Sequence, residues 1–476
     1  MKKYLILAAI VLPLFVNAQE NFCGTQTDEE QLSWLREFQQ NYIPSEMRGG
    51  DVHYVPLKIH VVGNDEGTGF LNANIIIQNM CDLNVQFEPT GFVFYLDGDL
   101  DYISNTSYYS HDFYTGYNMM AAHNVSGAAN LYYVNDPAGN CGYFSYAGDA
   151  VAIAKSCGNI GNSTIAHELG HFFSLPHTFY GWEYGTPSAS DQENVDGSNC
   201  ESAGDGFCNT PPDYASYRWN CSGPPEFTDP NGETFTPDGT NMMSYADDPC
   251  MVQFKEDQQA AMQANLTGPR NYLLSGDDPI YVDLDSATLV SPITGTENLY
   301  SNYTELKWNA IPNAKFYELS ISLNTGFNAL SYNRLISDTS IILTTLSAEK
   351  KYYWRIRPVG DINYCESYCD YWDFSTGYQL MADIDANENN FTALSIYPNP
   401  AESGNMLNVS FVTEQFIAGN ISIIDFTGKT VYAQDVNGSN GINTFTIDLP
   451  ALASGVFVLM LKDSTGLMST QKFILN

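Results

Sequence analysis

Positive charge is scarce in this chain. Its 476 residues carry 19 Lys and Arg against 55 Asp and Glu, a formal charge of −36. Between Asp51 and Tyr272 there are five basic side chains (Lys58, Lys155, Arg218, Lys255 and Arg270) against 27 acidic ones. Nucleic-acid binding needs a basic footprint, so nucleic acid is not an expected partner. The acidic excess suits a solvated surface outside the cell, and some of the carboxylates are candidate ligands for structural calcium. Long apolar runs are also lacking. One stretch, Tyr4 to Val16, follows Lys2 and Lys3 and precedes the small-residue pattern Val16-Asn17-Ala18. It is short for a membrane span, so residues 1–18 read as a cleaved signal peptide. No other segment is apolar for long enough, and no transmembrane segment is expected in the mature chain.

Histidine is scarce too, with seven in all, yet three fall in one eleven-residue window. It reads His167-Glu168-Leu169-Gly170-His171-Phe172-Phe173-Ser174-Leu175-Pro176-His177. His167 and His171 are spaced to share one face of a helix and to hold one metal ion. His177 lies past the helix and is able to complete a three-nitrogen site. Zinc held by three protein ligands keeps a position open for water, which is the arrangement of a hydrolase. Glu168 faces the same site and is the candidate general base and acid. The usual form of this motif has glycine where Ser174 stands. Glycine takes positive φ freely, whereas another L-residue there costs roughly 1–2 kcal/mol. Pro176 helps to stop the helix.

Ten cysteines in an exported chain favour disulfides. Cys200, Cys208, Cys221 and Cys250 follow the histidine window, Cys141 and Cys157 precede it, and Cys365 and Cys369 are close enough to staple a hairpin or loop. The region before the window alternates strand and helix patterns. Strands are expected over Tyr54–Val62, Phe92–Leu96, Leu131–Val134 and Ala150–Ala154. A helix is expected from Asn72 to Phe87, with Ile75, Ile76, Met80, Leu83 and Val85 as candidate core positions.

Downstream of the window, Asn241-Met242-Met243-Ser244-Tyr245 resembles the methionine turn of metzincin peptidases. The resemblance makes Met243 the hydrophobic base beneath the imidazoles and Tyr245 a candidate to stabilise the oxyanion. The stretches His167 to Phe179, Gly204-Asp205-Gly206, Thr210-Pro211-Pro212 and Asp247-Asp248-Pro249-Cys250-Met251, with Phe254 and Gln258, together resemble the pappalysin family. That resemblance runs from about Val55 to Leu266. It implies an endopeptidase acting on proteins or peptides, one catalytic Zn2+, and structural Ca2+ near the active-site loops. It also implies disulfides pairing Cys200 with Cys221 and Cys208 with Cys250. Cys23, in Cys23-Gly24-Thr25, resembles a family segment whose thiolate caps the zinc of a zymogen; a disulfide, for instance to Cys81, is the other reading. Activation is then expected near Met47-Arg48. Tyr180, Trp182 and Tyr184 in the loop after His177 either line the cleft or pack.

From Asp283 the texture changes to short alternating strands, among them Leu306–Trp308, Tyr317–Ser322, Tyr352–Arg357 and Trp372–Thr376. This stretch resembles a fibronectin type III domain, with Trp308, Leu346 and Tyr353 at core positions. The last 80 or so residues carry Ile396-Tyr397-Pro398-Asn399-Pro400, Asp425-Phe426-Thr427-Gly428-Lys429, Leu452-Ala453-Ser454-Gly455-Val456-Phe457 and Lys472-Phe473-Ile474-Leu475-Asn476 in order. That order resembles the C-terminal sorting domain of type IX secretion cargo. It implies recognition by that machinery, then anchoring at the bacterial outer surface or release.

The expected fold class is α+β, a metzincin catalytic domain followed by two β-sandwich domains. The expected organisation is signal peptide 1–18, propeptide 19–50, catalytic domain 51–280, fibronectin type III-like sandwich 283–378, linker 379–393 and sorting domain 394–476. The expected function is a secreted zinc metalloendopeptidase. The alternative is a surface adhesion protein on an inactive zincin scaffold, and intact Glu168 speaks against it.

Overall fold

The computed structural model describes residues 21–26, 28–41, 52–377, 392–413, 417–425, 429–463 and 468–475. The expected signal peptide, the Met47-Arg48 region and most of the expected linker lie outside them. One compact unit holds the N-terminal α+β domain with most of the first sandwich, and a second holds the C-terminal sandwich.

The α+β domain is built on a mainly parallel sheet. Its strands are β1 (Asn21–Cys23), β2 (His53–Gly63), β3 (Phe92–Leu96), β4 (Asp101–Ser104), β5 (Ala129–Val134), β6 (Asn140–Ser145) and β7 (Ala150–Ala154). They lie in the order β1-β6-β7-β5-β2-β3, with β4 also paired to β2. β5 and β7 are buried along their whole length, as inner strands of a sheet covered on both faces are. β6 runs antiparallel to β7, and the short β1 runs parallel along the outer edge of β6. Helix α1 (Glu29–Asn41) follows β1, and α2 (Ala73–Phe87) and α3 (Phe113–His123) lie between the sheet strands. Helices α4 (Thr164–Phe172), which packs on β6 and β7, and α5 (Glu256–Thr267) come after the sheet. The expected strands and α2 form. Ile76, Met80 and Leu83 are buried, but Val85 is 65% exposed. Val85 comes nine positions after Ile76, two and a half helical turns on, and therefore faces the opposite way.

The first sandwich contains β8 (Thr304–Trp308), β9 (Phe316–Ser322), β10 (Leu330–Ile336), β11 (Lys351–Val359) and β12 (Trp372–Thr376). Trp308 and Leu346 are buried as expected, whereas Tyr353 is half-exposed. On a strand alternate residues face alternate sides, and it is Tyr352 and Trp354 that enter the core. This sandwich is tied to the α+β domain. Arg357 Nη2 donates to Asn74 O at 3.0 Å, Asn74 N donates to Asn333 Oδ1 at 2.8 Å, and Leu96 N donates to Tyr364 Oη at 2.8 Å. A Cys81–Cys365 disulfide adds a covalent link. Cys365 is thus not bonded to Cys369, which stays a buried free thiol.

Two more pairings differ from those the family resemblance implied. Cys200 bonds Cys208, and Cys221 bonds Cys250. Gly204 and Gly206, at φ of 55° and 78°, let the chain double back between Cys200 and Cys208. Trp219 and Ala246 run side by side, with Asp247 N donating to Trp219 O, and this carries Cys221 to Cys250. Cys141 bonds Cys157.

The C-terminal sandwich has a three-stranded and a four-stranded antiparallel sheet over residues 392–475. Leu407, Val409, Phe411, Ile421, Ile423, Leu459, Leu461 and Phe473 fill its core at alternate positions. No helix among the described residues is long and apolar enough to cross a membrane.

Candidate active site

The site forms where α4 ends. Ser163 precedes the helix, and Asp248 accepts from its backbone N and its hydroxyl at 3.2 and 2.7 Å. A carboxylate at that end also suits the helix dipole. The Asp247-Asp248-Pro249-Cys250-Met251 stretch therefore ties the chain beyond Met243 to the start of the histidine helix. Helix α4 stops in a Schellman turn: Leu175 N donates to Gly170 O and Ser174 N to His171 O. Ser174 takes the position that glycine usually holds, at φ 77°. Its hydroxyl is held by Asn265 Nδ2 of α5 at 2.5 Å. Serine thus keeps the glycine conformation and gains a fixed partner. Arg270 Nε donates to Phe172 O at 2.6 Å, and Gln31 of α1 donates to His171 O at 2.7 Å. A cation and an amide so meet the helix's last carbonyls.

The turn brings His177 back to His167 and His171. His171 Nε2 lies 3.2 Å from His167 Nε2 and 3.1 Å from His177 Nε2. Tetrahedral nitrogens at 2.0–2.1 Å from zinc stand about 3.3 Å apart. Each Nδ1 has an oxygen partner: Met242 O at 2.8 Å for His167, Leu175 O at 2.7 Å for His171, and Glu183 Oε1 at 3.3 Å for His177. The protons belong on Nδ1, and three Nε2 lone pairs converge. Such lone pairs repel one another unless a cation lies between them. Burial and then the neighbouring His177 push the pKa values of His167 and His171 well below the ordinary value, which keeps both neutral. The donor set therefore fits zinc. Among the described residues, only Cys23 with these three histidines forms a His, Cys, Asp or Glu group spaced for a metal.

Glu168 is fully buried beside them. Burial raises its pKa to about 7, against the lowering effect of hydrogen bonds from Thr25 and Cys23. Gly142 on β6 makes room for it, since a Cβ there would lie 2.9 Å from Glu168 Cγ. Met243 is likewise buried against the helix. A Cβ on Gly170 would stand 2.4 Å from the Met243 sulfur, so the glycine in this window lets the methionine pack directly against the histidine helix. The Tyr245 ring lies 4.9 Å from the His177 ring, and its hydroxyl donates to Cys23 O at 3.3 Å. Burial raises its pKa far above the ordinary value, with Cys23 and Glu168 adding to the effect, so the phenol stays protonated.

Residues of the N-terminal segment between Phe22 and Asn41 cover this centre. Cys23 Sγ lies 3.6 Å from His171 Nε2 and 3.5 Å from Glu168 Oε2. Thr25 Oγ1 donates to Glu168 Oε2 at 2.7 Å and accepts from Phe144 N at 2.8 Å. Arg36 and Gln39 of α1 donate to the carbonyls of Gly204 and Asp205. A cleft of about 600 Å³ opens beside Cys23, with His177, Glu183, Tyr184, Arg218 and Tyr245 on its walls. Tyr184 lines it, whereas Trp182 packs on Tyr214 with centroids 4.2 Å apart. The sequence reading missed Thr25, Glu183 and Arg218. Glu183 carries no motif, and only its position after His177 brings it to the imidazole.

A mainly parallel sheet, a histidine helix, a returning third histidine and a buried methionine packed on that helix have the arrangement of a metzincin metallopeptidase. The comparisons narrow the class. Residues 102–267 match the family model described as pregnancy-associated plasma protein-A, the pappalysin family that the motifs of this segment resemble. The chain is accordingly a metalloendopeptidase. Residues 395–476 match a secretion system C-terminal sorting domain, which marks the chain for export and surface delivery. An extracellular metalloprotease of Colletotrichum graminicola is 27% identical over 230 residues, which cover 44% of this chain and 74% of that one. Among solved structures, promirolysin of Tannerella forsythia matches 53% of this chain and 97% of its own at 20% identity and a TM-score of 0.40. Mirolysin in complex with a compound matches 48% and 97% at 20% identity and a TM-score of 0.37.

Proposed function

We propose that this protein is a zinc endopeptidase made as a zymogen, in which Glu168 moves the protons of peptide hydrolysis. The observation that carries the reading is the convergence of three Nε2 atoms beside a buried carboxylate. His167, His171 and His177 would hold the zinc, which would supply Lewis acidity and lower the pKa of water there to about 7. Glu168, with its own pKa raised to about 7, is matched to take a proton from the attacking water and pass it to the leaving amine. The protonated Tyr245 hydroxyl donates to the oxyanion formed from the substrate carbonyl once Cys23 O has left it.

In the unprocessed chain the Cys23 thiol stands at the metal position and Thr25 holds Glu168. Burial and the adjacent Glu168 raise the Cys23 pKa well above the ordinary value, and a dication among the imidazoles reverses that balance. Cys81, the example partner for the disulfide alternative, bonds Cys365 instead, which supports the thiol reading. Activation then removes the 19–50 propeptide before the 51–280 catalytic domain acts. The 394–476 domain engages type IX secretion machinery, and proteins or peptides are the substrates.

Structural calcium has a candidate place among three buried acids, whose oxygens must draw closer than they stand here to share one ion. Glu193, Asp205 and Asp213 are buried together, and Glu193 Oε2 and Asp205 Oδ2 have no hydrogen-bond partner. Oxygen atoms left bare in this way suit a hard cation.

The test compares processed wild type with Glu168→Ala on denatured protein, with zinc content measured in both. Wild type cleaves and the variant loses at least about a hundredfold in kcat at equal zinc. Equal cleavage by the two refutes the role of Glu168. A zinc-loaded wild type that cleaves nothing favours the adhesion reading.

A further inference from the structure

Phe22 precedes Cys23 and fills a pocket next to the metal position, where it is 5% exposed. Its ring meets the His167 imidazole at 4.9 Å and the Tyr245 ring at 5.3 Å between centroids. The Arg218 guanidinium lies 4.0 Å from the centre of its ring. Arg218 is fixed there by Ala246 O and by Asp248, 3.3 Å away, with Asp247 at 4.0 Å. The backbone around Phe22 runs along the edge of β6, where Gly24 N donates to Gly142 O at 2.8 Å. Removal of β1 leaves that edge and pocket open. An extended substrate adds to the same edge through ladder hydrogen bonds and lays alternate side chains into pockets.

We propose that the Phe22 pocket is a specificity subsite for an aromatic side chain flanking the scissile bond, with Arg218 as the specificity-determining residue that stacks on it. This rests on the peptidase reading above. A lysine or arginine in the pocket meets the like charge of Arg218. A carboxylate competes with Asp247 and Asp248, which already balance that charge, and loses its hydration on entry. A small aliphatic chain leaves the imidazole, phenol and guanidinium faces uncovered. An aromatic ring meets all three in the geometry that Phe22 shows, and a guanidinium over a ring is a favourable pairing. Glu183, the acid that also lines the cleft, is engaged by His177 Nδ1 and by Gly181 N at 2.7 Å.

Mass spectrometry of peptide-library products from the processed protein tests this. Phe and Tyr should be enriched at one position flanking the cut. Arg218→Ala should lower kcat/KM about tenfold more for peptides with an aromatic there than for peptides with alanine there. Arg218→Lys, which keeps the ion pairs but not the planar face, should lose the aromatic preference as well. No preference, or one for lysine or arginine, overturns the proposal and leaves the peptidase reading intact. If the protein cleaves nothing, that reading fails, and the pocket is judged by calorimetry with the peptide Asn21–Thr25. The Phe22→Ala peptide should then bind about tenfold more weakly, and equal affinities overturn the proposal.

Discussion

Ser174 sits where the histidine helix must reverse, and its substitution separates two opposing effects. At φ 77° a side chain strains the backbone by roughly 1–2 kcal/mol, and glycine removes that strain. The hydroxyl gives back part of it, because the Asn265–Ser174 hydrogen bond is buried and worth about 1 kcal/mol. Ser174→Ala keeps the strain and loses the bond, so we expect it to destabilise by about 1–2 kcal/mol, with Asn265 Nδ2 left unpaired. Ser174→Gly loses the same bond and relieves the strain, while its freer unfolded chain costs roughly 0.5–1 kcal/mol. The order of stability should be serine, then glycine within about 1 kcal/mol of it, then alanine. Denaturant unfolding and Tm measure this; a 1 kcal/mol gap is about 2–4 °C for a domain of this size. Zinc affinity should fall in the same order, since the turn carries His177. Alanine more stable than glycine, at unchanged zinc affinity, would refute the reasoning.

Two further outcomes follow from the cover and the buried acids. Cys23→Ala in the unprocessed chain should make a fluorogenic peptide substrate cleavable before any N-terminal cut, though only partly, because Thr25 still holds Glu168; a variant as silent as wild type removes Cys23 from the latency device. Burial, with Asp205 and Asp213 adding for Glu193, pushes Glu193, Asp205 and Asp213 up to about 9, 7 and 6. Their folded pKa values exceed the unfolded ones near 4, so their contribution is full below about pH 4 and is lost as pH rises through those values. With EGTA present, Tm should therefore fall between pH 5 and 9 from this source, and calcium should remove the slope by taking the place of the protons. A Tm indifferent to calcium across that range argues against a cation there.

Much of the site was legible because it is local. His167, Glu168 and His171 belong to one helix, and spacing alone puts them on one face. His177 is six residues on, and the helix stop was marked by Pro176. The strands Phe92–Leu96 and Ala150–Ala154 were legible because apolar runs of that length suit buried strands. Val85 and Tyr353 were misplaced by a face, an error that apolar character cannot detect and periodicity can.

What the sequence by itself determined is the local pattern: three histidines and a glutamate in one window, and a peptidase-like segment followed by a sorting segment along the chain. The tertiary structure decided which distant residues join that window. It gave Cys81 to Cys365 across 284 positions, so Cys23 is left as a free thiol at the metal position. It also placed Asn265 against Ser174, Glu183 against His177 and Arg218 over Phe22. A helix or turn is set by bonds a few residues apart, and its pattern is written in spacing. Disulfide partners and the walls of a pocket depend on how whole elements pack, and no spacing records that.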